Sequence, residues 1–214
     1  RLTMSAGVVG VKNSCAEMNV KVYPSINASY RFGDAWKVYA SYNTSLRMPS
    51  VTELFYSVGG HKADPNLKPE ELSAVEVGVK YNKKGLSGTV SSFYNHHTNL
   101  IDWIDDGEKD AAGAILWKSV NFGTINALGF ETTLNADFRQ LLPSQKLLKS
   151  FSVGYCFIQQ HQIEAAGIHS LYALEYLKNK VISSLQLNLW KALDLNVNYR
   201  FQHRMGTYKD PSGA

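Results

Sequence analysis

The sequence has no long hydrophobic run, which excludes a helical membrane span. No apolar stretch in its 214 residues approaches the roughly 20 residues that a spanning helix needs. The first ten residues, RLTMSAGVVG, lack the basic, apolar and cleavage regions of a signal peptide. By hydropathy alone the chain would be grouped with soluble proteins.

Cysteine and charge are also scarce. Cys15 and Cys156 lie far apart, without the spacings that bind zinc or build a disulfide framework, so we expect two free thiols. Charged residues make up 19% of the chain, its net charge is +4, and no Lys/Arg run is long enough to follow a phosphate backbone. We therefore expect no nucleic-acid partner.

What the sequence does contain is period-two alternation of apolar and polar residues. The first clear case sets Val22, Ile26 and Tyr30 against Ser25 and Arg31, the pattern of a strand with one apolar face. Helical periodicity is nowhere comparable. The alternating segments are residues 22–32, 36–43, 75–81, 128–138, 181–189 and 193–201.

With the weaker segments 2–11, 86–104 and 149–160, the pattern predicts about nine strands of about 10 residues or more. Short connections (33–34, 83–85, 139–148, 191–193) alternate with longer ones (12–19, 47–71, 105–116, 161–177). Short turns at one end and long loops at the other are typical of a transmembrane β-barrel. A soluble β-sandwich is the alternative, but its strands average only about 5 or 6 residues.

Aromatic side chains also favour the barrel. Several of them lie next to the short turns, where an interfacial girdle is expected. These residues are Phe32, Trp36, Tyr81, Phe138 and Trp190.

Two boxes interrupt the alternation, SLRMPSVTELFY (residues 45–56) and DPNLKPEELSAVEVGVKY (residues 64–81). Together they resemble the mid-barrel signature of TonB-dependent outer-membrane receptors, with Met48 and Asp64 as small departures. The matching residues are Arg47, Pro49, Glu53, Pro65, Asn66, Leu67, Pro69, Glu70, Glu76 and Gly78. Because proline removes a strand donor and fixes φ, we interpret these residues mainly as structural, setting where the chain leaves and rejoins the sheet.

The resemblance implies an all-β fold, an antiparallel barrel of the 22-stranded plugged type. The chain would be a partial barrel over residues 1–214, without the plug, the earlier strands and the final strands. It also implies residence in the outer membrane of a Gram-negative bacterium. The expected partners are lipid and lipopolysaccharide, TonB (through the plug) and a small-molecule nutrient complex.

Ligand-binding candidates lie in the predicted outer loops, and we expect Tyr56, His61, Lys62, Trp103 and Trp117 to contact cargo. His61 is also a candidate haem ligand, because some haem receptors of this family carry a histidine in that interval. The lumen wall would be lined by Arg31, Lys80, Glu131 and Arg200. The remaining histidines are weaker candidates, His96 and His97 within a strand and His161, His169 and His203 near predicted loops.

An acidic cluster consists of Asp102, Asp105, Asp106, Glu108 and Asp110. Its composition suits calcium, but it lacks EF-hand spacing, and a solvated loop is the simpler interpretation.

No nucleophile–base–acid set stands out, so we expect no enzyme activity and no required cofactor. The leading hypothesis is energy-dependent uptake of a ferric siderophore, haem or cobalamin. A passive porin and a structural or adhesive barrel are the alternatives.

Overall fold

A computed structural model describes residues 1–12, 20–162, 169–170 and 176–205. Cys15 and the side chain of His169 lie outside the described part, whereas Cys156 is a free thiol as expected. The strands are β1 (Leu2–Val11), β2 (Lys21–Phe32), β3 (Trp36–Arg47), β4 (His61–Lys62), β5 (Glu70–Lys83), β6 (Leu86–Thr98), β7 (Ile101–Asp105), β8 (Trp117–Asn121), β9 (Ile125–Asp137), β10 (Leu148–Gln162), β11 (His169–Ser170), β12 (Leu177–Trp190) and β13 (Leu193–Arg204). The helices are α1 (Val51–Phe55) and α2 (Phe138–Leu141).

Nine long strands form one antiparallel sheet, here called the wall sheet. Their order is β1-β2-β3-β5-β6-β9-β10-β12-β13, so each long strand pairs with the next one along the chain. Tight turns join β2 to β3 and β5 to β6, and the long connections leave from the opposite end. The predicted nine-stranded, antiparallel, all-β architecture is therefore confirmed.

The register of the wall sheet separates an apolar face from a polar face. Tyr30, Val38, Val79 and Val90 are successive cross-strand partners, and they form one row of the apolar face. Val77 on this face remains 52% exposed, because no described segment packs over it. Near the short turns, the Trp36 ring lies 6.3 Å from Phe32 and 4.8 Å from Tyr81. The expected aromatic grouping is present at this end.

Four short strands form a second sheet outside the wall, the loop sheet, in the order β11-β7-β8-β4. Several buried apolar side chains lie in or beside it. They are Leu67, Ile101, Trp103, Ile104 and Phe122. The long connections therefore fold together around a small apolar core.

One strand prediction is wrong in extent. The segment 86–104 was expected to be a single strand, but β6 ends at Thr98 and β7 belongs to the loop sheet. Asn99 between them has a φ of 52°, a left-handed conformation that asparagine tolerates better than most residues. This turn directs the chain from the wall into the loop sheet.

Helix α1 was also not expected, because the loop shows no helical periodicity. A capping box forms it: Ser50 Oγ accepts from the Glu53 N–H (3.2 Å), and the Glu53 carboxylate accepts from the Ser50 N–H (2.6 Å). In the part of the chain that the structure describes, neither helix has the length and apolar character needed to cross a bilayer.

Candidate functional site

Aromatic side chains from three loop segments meet in what we call the aromatic cluster, Tyr56, His61, Trp103 and Trp117. The His61 ring lies edge-on to Trp103, with 5.2 Å between ring centroids, and edge-on to Tyr56 at 5.7 Å. Trp117 is the strand partner of His61. Four of the five predicted ligand-binding residues are thus brought together, although Tyr56 and Trp117 lie far apart in the sequence.

The loop sheet positions these rings. Strand β4 runs parallel to β8, and β7 pairs antiparallel with β8, so that Trp103 lies opposite Ser119. Because side chains alternate along a strand, His61, Trp103 and Trp117 share one face of this sheet. Two glycines let the chain before β4 turn toward β8. Gly59 and Gly60 have φ values of 62° and 77°, and the Gly60 carbonyl accepts from the Trp117 N–H at 2.8 Å.

Exposure differs within the cluster. Trp103 is only 9% exposed and forms its base, whereas Tyr56 is 46% exposed and lies at its rim. His61 Nδ1 lies 3.1 Å from the Gly59 carbonyl oxygen. Lys62 is exposed and pairs with Lys118, which places it on the opposite face of the loop sheet from the rings. The cluster can therefore offer a partly open aromatic surface to a ligand.

Ser119 was not expected from the sequence. It is 1% exposed and lies on the same face as Trp103, and within the described residues its hydroxyl has no hydrogen-bond partner. A single serine between Lys118 and Val120 carries no sequence signal that could have identified it.

Arg47, Glu53 and Glu70 form an ionic network at the base of the long loop between β3 and β5. Arg47 Nε and Nη2 each donate to a different oxygen of the Glu70 carboxylate at 2.7 Å, a bidentate pair. Arg47 Nη1 also donates to both Glu53 oxygens at 3.1 Å. Glu70 Oε1 in addition accepts from the Ile101 N–H at 2.7 Å. The network joins the wall sheet, α1 and the loop sheet.

The electrostatics of Glu53 follow from these contacts. Burial by itself would raise the pKa of its carboxyl group, but the hydrogen bonds from Arg47 and Ser50 outweigh burial and lower it. Glu53 therefore stays ionised at neutral pH, serving both the helix cap and the ion pair.

The segment that returns to the wall is fixed by hydrogen bonds and burial. The Asn66 N–H donates to Asp64 Oδ1 at 2.8 Å, closing a turn at Pro65, and Leu67 and Pro69 are buried. The Asn121 side chain then mimics a strand, accepting from the Lys68 N–H (2.8 Å) and donating to the Lys68 carbonyl oxygen (2.9 Å). Asn121 was not singled out in the sequence. These contacts support a structural role for this part of the family motif.

The last two motif residues lie in the wall. Tyr39 donates to Glu76 Oε1 at 2.6 Å. A Cβ atom at Gly78 would lie 2.5 Å from Tyr39 Cζ, so the glycine leaves room for the tyrosine ring. Pro49 lies in the short segment between β3 and α1, where pairing with the wall has ended.

The acidic residues of the 102–110 segment do not converge. Lys118 binds both Asp106 and Glu108, and the ion pair to Asp106 measures 2.8 Å. The hydrogen bond from Lys118 holds the pKa of the Asp106 carboxyl below its usual value. Asp105 and Asp110 accept from loop N–H groups. Within the described residues no three His, Cys, Asp or Glu side chains are placed to hold a metal ion. The solvated-loop interpretation fits Asp106 and Glu108, which are exposed, but not Asp102, which is only 2% exposed.

The other predicted candidates lie in the wall. Register places Arg31, Lys80, Glu131 and Arg200 on the polar face, as expected.

The remaining predicted histidines also lie in the wall. His96 Nδ1 lies 2.7 Å from Asn126 Oδ1, and His203 Nδ1 lies 3.2 Å from Asn179 Nδ2. His97 and His161 pair with Ile125 and Asn126 in the register. The structure brings none of these four histidines into the aromatic cluster.

Comparison with solved structures identifies the same architecture. The siderophore receptor PirA from Pseudomonas aeruginosa is 17% identical with a TM-score of 0.68, covering 94% of this chain and 34% of that one. A mutant of the ferric enterobactin receptor PfeA from Pseudomonas aeruginosa, in complex with enterobactin, is 20% identical (TM-score 0.69, 94% and 30%). PirA from Acinetobacter baumannii is 15% identical (0.67, 93% and 31%).

The chain spans about a third of the length of these receptors. A family model described as "TonB dependent receptor-like, beta-barrel" matches residues 9–213, nearly the whole sequence. The resemblance that the motif boxes indicated is thereby confirmed, and the chain belongs to the TonB-dependent receptor β-barrel family.

Proposed function

We propose that this chain forms part of the wall and outer loops of an outer-membrane receptor that takes up a ferric siderophore. The observation that carries the proposal is the aromatic cluster, which gathers three outer segments into one surface. Aromatic rings provide large, rigid contact area at low entropic cost, which suits a bulky organic ligand with aromatic groups. The wall would supply the scaffold, and its apolar face would contact lipid.

A siderophore is favoured over haem or cobalamin for two reasons. The solved structures of similar fold include receptors named for siderophores, one of them in complex with enterobactin. In addition, His61 packs edge-on between two rings and its Nδ1 lies near a carbonyl oxygen, an arrangement that serves packing first. Haem binding through the His61 Nε2 is the second candidate, and it is open to direct test.

The wider context completes the proposal. The chain would be the C-terminal part of a longer receptor of a Gram-negative bacterium, with a plug inside the barrel and TonB engaging that plug to supply energy. Lipid and lipopolysaccharide would surround the apolar face. A receptor of this kind performs no catalysis. A full-length gene that encodes no plug would instead favour the passive porin or the structural barrel.

The test is a titration of the full-length receptor with ferric enterobactin, haem and cobalamin. Tyr56→Ala should weaken ferric enterobactin binding about tenfold, or about 1.4 kcal/mol, because it removes the exposed rim of the cluster. Tyr94→Ala is the matched control, since Tyr94 is 43% exposed but lies on the apolar face of the wall. Equal affinities of the two variants would contradict the proposed site.

The haem alternative needs its own variant. If His61→Ala abolishes haem binding while the wild type fails to bind ferric enterobactin, the receptor is a haem receptor. Orientation is checked by cysteine labelling of intact cells, which should reach a cysteine at residue 61 and not one at residue 84. Labelling in the reverse sense would place the aromatic cluster on the periplasmic side and contradict an uptake site.

A further inference from the structure

Two connections meet at the short-turn end of the wall sheet, and we call their exposed part the turn patch: residues 142–147 and 190–193. Residues 142–147 belong to the connection from α2 to β10, and residues 190–193 include the turn from β12 to β13. The Asn188 N–H donates to the Leu147 carbonyl oxygen at 2.7 Å, and Lys149 pairs with Asp194 at 2.5 Å. These two contacts hold the connections side by side.

The turn patch exposes large apolar side chains. Trp190 is 76% exposed, and its cross-strand partner Leu193 is 57% exposed. Leu142 and Leu147 in the other connection are each more than half exposed. Because side chains alternate along β13, Leu193 lies on the same apolar face of the wall as Leu195. The patch therefore continues the apolar face to the edge of the sheet.

Hydrogen bonds hold the backbone around Lys146 in one conformation. Gln145 Nε2 donates to the Leu148 carbonyl oxygen at 2.6 Å, and the Leu148 N–H donates to Gln145 Oε1 at 2.7 Å. The Gln145 N–H also donates to the Leu142 carbonyl oxygen at 3.1 Å, which closes a turn over Pro143. Lys146 thus projects from a preorganised corner beside exposed leucines, which lowers the entropic cost of binding there.

The cations in and beside the patch differ in their partners. Arg139 and Lys149 already pair with aspartates of the chain. Lys146 and Lys191 are exposed, and no ion pair formed by described residues includes either of them. Two positive charges without a described counter-charge therefore lie among exposed apolar side chains. An occupant that matches both features is an anion with an apolar part.

From this arrangement we infer that the turn patch binds an anionic phospholipid, its phosphodiester at Lys146 and Lys191 and its acyl chains along the apolar face. Tryptophan favours the level of the lipid headgroups, and lysine extends its ammonium group from an apolar surface toward that level. A soluble acidic peptide would match the two charges but leave the apolar side chains uncovered, and a lipid without net charge would do the reverse. The inference rests on the membrane residence proposed above and adds to it a headgroup preference at one place on the rim.

The experiment is a lipid titration of the full-length receptor in detergent, followed by native mass spectrometry. The dissociation constant of the first bound lipid is compared for phosphatidylglycerol, which is anionic, and phosphatidylcholine, which has no net charge. The wild type should bind phosphatidylglycerol about tenfold more tightly, since an anionic lipid surface favours each nearby lysine by roughly fivefold. The double variant Lys146→Gln/Lys191→Gln should lose most of this preference.

The matched control is Lys12→Gln/Lys109→Gln, which removes the same charge at the opposite end of the wall. Both lysines are exposed, lie in long connections and belong to no ion pair among the described residues. This variant should keep the preference for phosphatidylglycerol. Trp190→Ala should weaken the binding of both lipids by a similar factor, because the ring contacts the apolar part of the lipid and carries no charge.

Several outcomes would overturn the inference. They are equal affinity of the wild type for the two lipids, an unchanged preference in the double lysine variant, and an equal loss in the control. Displacement of phosphatidylglycerol by inorganic phosphate or by a polyglutamate peptide at equal concentration would also do so, because the patch would then bind a soluble anion. Should the double variant fail to fold, each single lysine variant should lower the preference about threefold, and no decrease in either would refute the inference.

Ferric enterobactin binding, measured on the same samples, separates this inference from the proposed function. A receptor that binds ferric enterobactin without a lipid preference refutes only the turn patch. A receptor with the lipid preference that binds no siderophore refutes only the proposed function.

Discussion

The wall sheet and the loop sheet lie in one chain but are stabilised by different interactions. In the wall, strands of 10 to 15 residues are joined by backbone ladders, and large apolar side chains such as Val77 and Tyr199 remain more than half exposed. In the loop sheet, strands of two to five residues enclose Trp103, Ile104 and other buried side chains. The loop sheet thus encloses a small apolar core, whereas apolar side chains of the wall stay exposed to the surroundings within the described residues.

The two sheets therefore respond to different kinds of substitution. A wall strand keeps its backbone hydrogen bonds when one side chain changes. It tolerates little extra volume at a glycine that is covered by the ring of a neighbouring strand, as at Gly78 and Gly129. The loop sheet has few ladder bonds, so the ion pairs and caps at its base contribute a larger share of its stability. The four predictions below separate the two regions.

The largest expected effect is on the loops, from Arg47→Ala. The change removes five hydrogen bonds to Glu53 and Glu70, whose side chains are only 13% and 15% exposed, and leaves both carboxylates without their cation. Loss of charge-assisted bonds at a half-exposed arginine should cost about 2 kcal/mol, or roughly 30-fold in local opening. Hydrogen exchange should rise at Tyr56 and Ile101 and stay unchanged in the wall.

Arg139→Ala is the control for that loss, because the Arg139 side chain is 67% exposed and pairs with Asp137 at the opposite end of the wall. It should leave stability nearly unchanged, because an exposed ion pair is screened by solvent. Wall exchange rising as much as loop exchange in Arg47→Ala would show that the two regions open together.

The next effect is on the wall, from Gly129→Ala. A Cβ atom at this position would overlap the Phe93 ring on the neighbouring strand, so the ring would have to move. We expect a loss of about 1.5 kcal/mol, measured as a lower thermal unfolding midpoint in detergent. Gly154→Ala meets only ordinary contacts at 3.8 Å and should be neutral. In a Phe93→Ala background the ring is absent, so Gly129→Ala should cause no further loss of stability. Additive losses in the double variant would contradict this explanation.

A smaller effect is expected from Ser50→Ala, which removes the side-chain acceptor of the α1 cap. Loss of an N-cap serine costs about 1 kcal/mol, here confined to the loop. Exchange at Leu54 should rise, whereas Thr52→Ala in the same helix should leave it unchanged. A fall in the unfolding midpoint of the whole barrel would mean that α1 also supports the wall.

The smallest effect is a pH dependence of the loop base through Glu53. Its pKa in the folded receptor is lowered from the ordinary value of 4.5, so its stabilising contribution is complete above pH 4.5 and is lost as the pH falls through the lower folded value. Between pH 5 and pH 3, exchange at Tyr56, corrected for its intrinsic pH dependence, should rise. The rise corresponds to less than about 1 kcal/mol, since Arg47 is half exposed. In Glu53→Gln this acid step should be absent.

The wall was predictable because its side chains obey one rule. Alternation over residues such as Val75, Val77 and Val79 gave the strands, their faces and the order of nine neighbours, since consecutive strands pair in sequence. Where the rule fails, so did the prediction. The register break at Asn99, which moves β7 from the wall into the loop sheet, depends on one backbone conformation that periodicity does not contain.

The candidate site was predictable in membership but not in shape. Their aromatic character and their position in predicted outer loops indicated Tyr56, His61 and Trp103. Their contact depends on a parallel pairing between β4 and β8, and a two-residue strand such as β4 is too short to be predicted from alternation. Helix α1 did leave a signal, the spacing of Ser50 and Glu53 in a capping box. The roles of Ser119 and Asn121 left none, because each depends on a neighbour more than 15 positions away.

The bidentate pair between Arg47 and Glu70 joins the last residue of β3 to the first residue of β5. Residues 48–69 therefore form a closed excursion whose two ends are held at a fixed separation, whatever lies between them. Such an excursion can be lengthened, shortened or exchanged without a shift in the strand register below it. For protein engineering, a foreign loop inserted between these two residues would start and end at fixed positions on the wall sheet, so that loop and sheet could be varied separately.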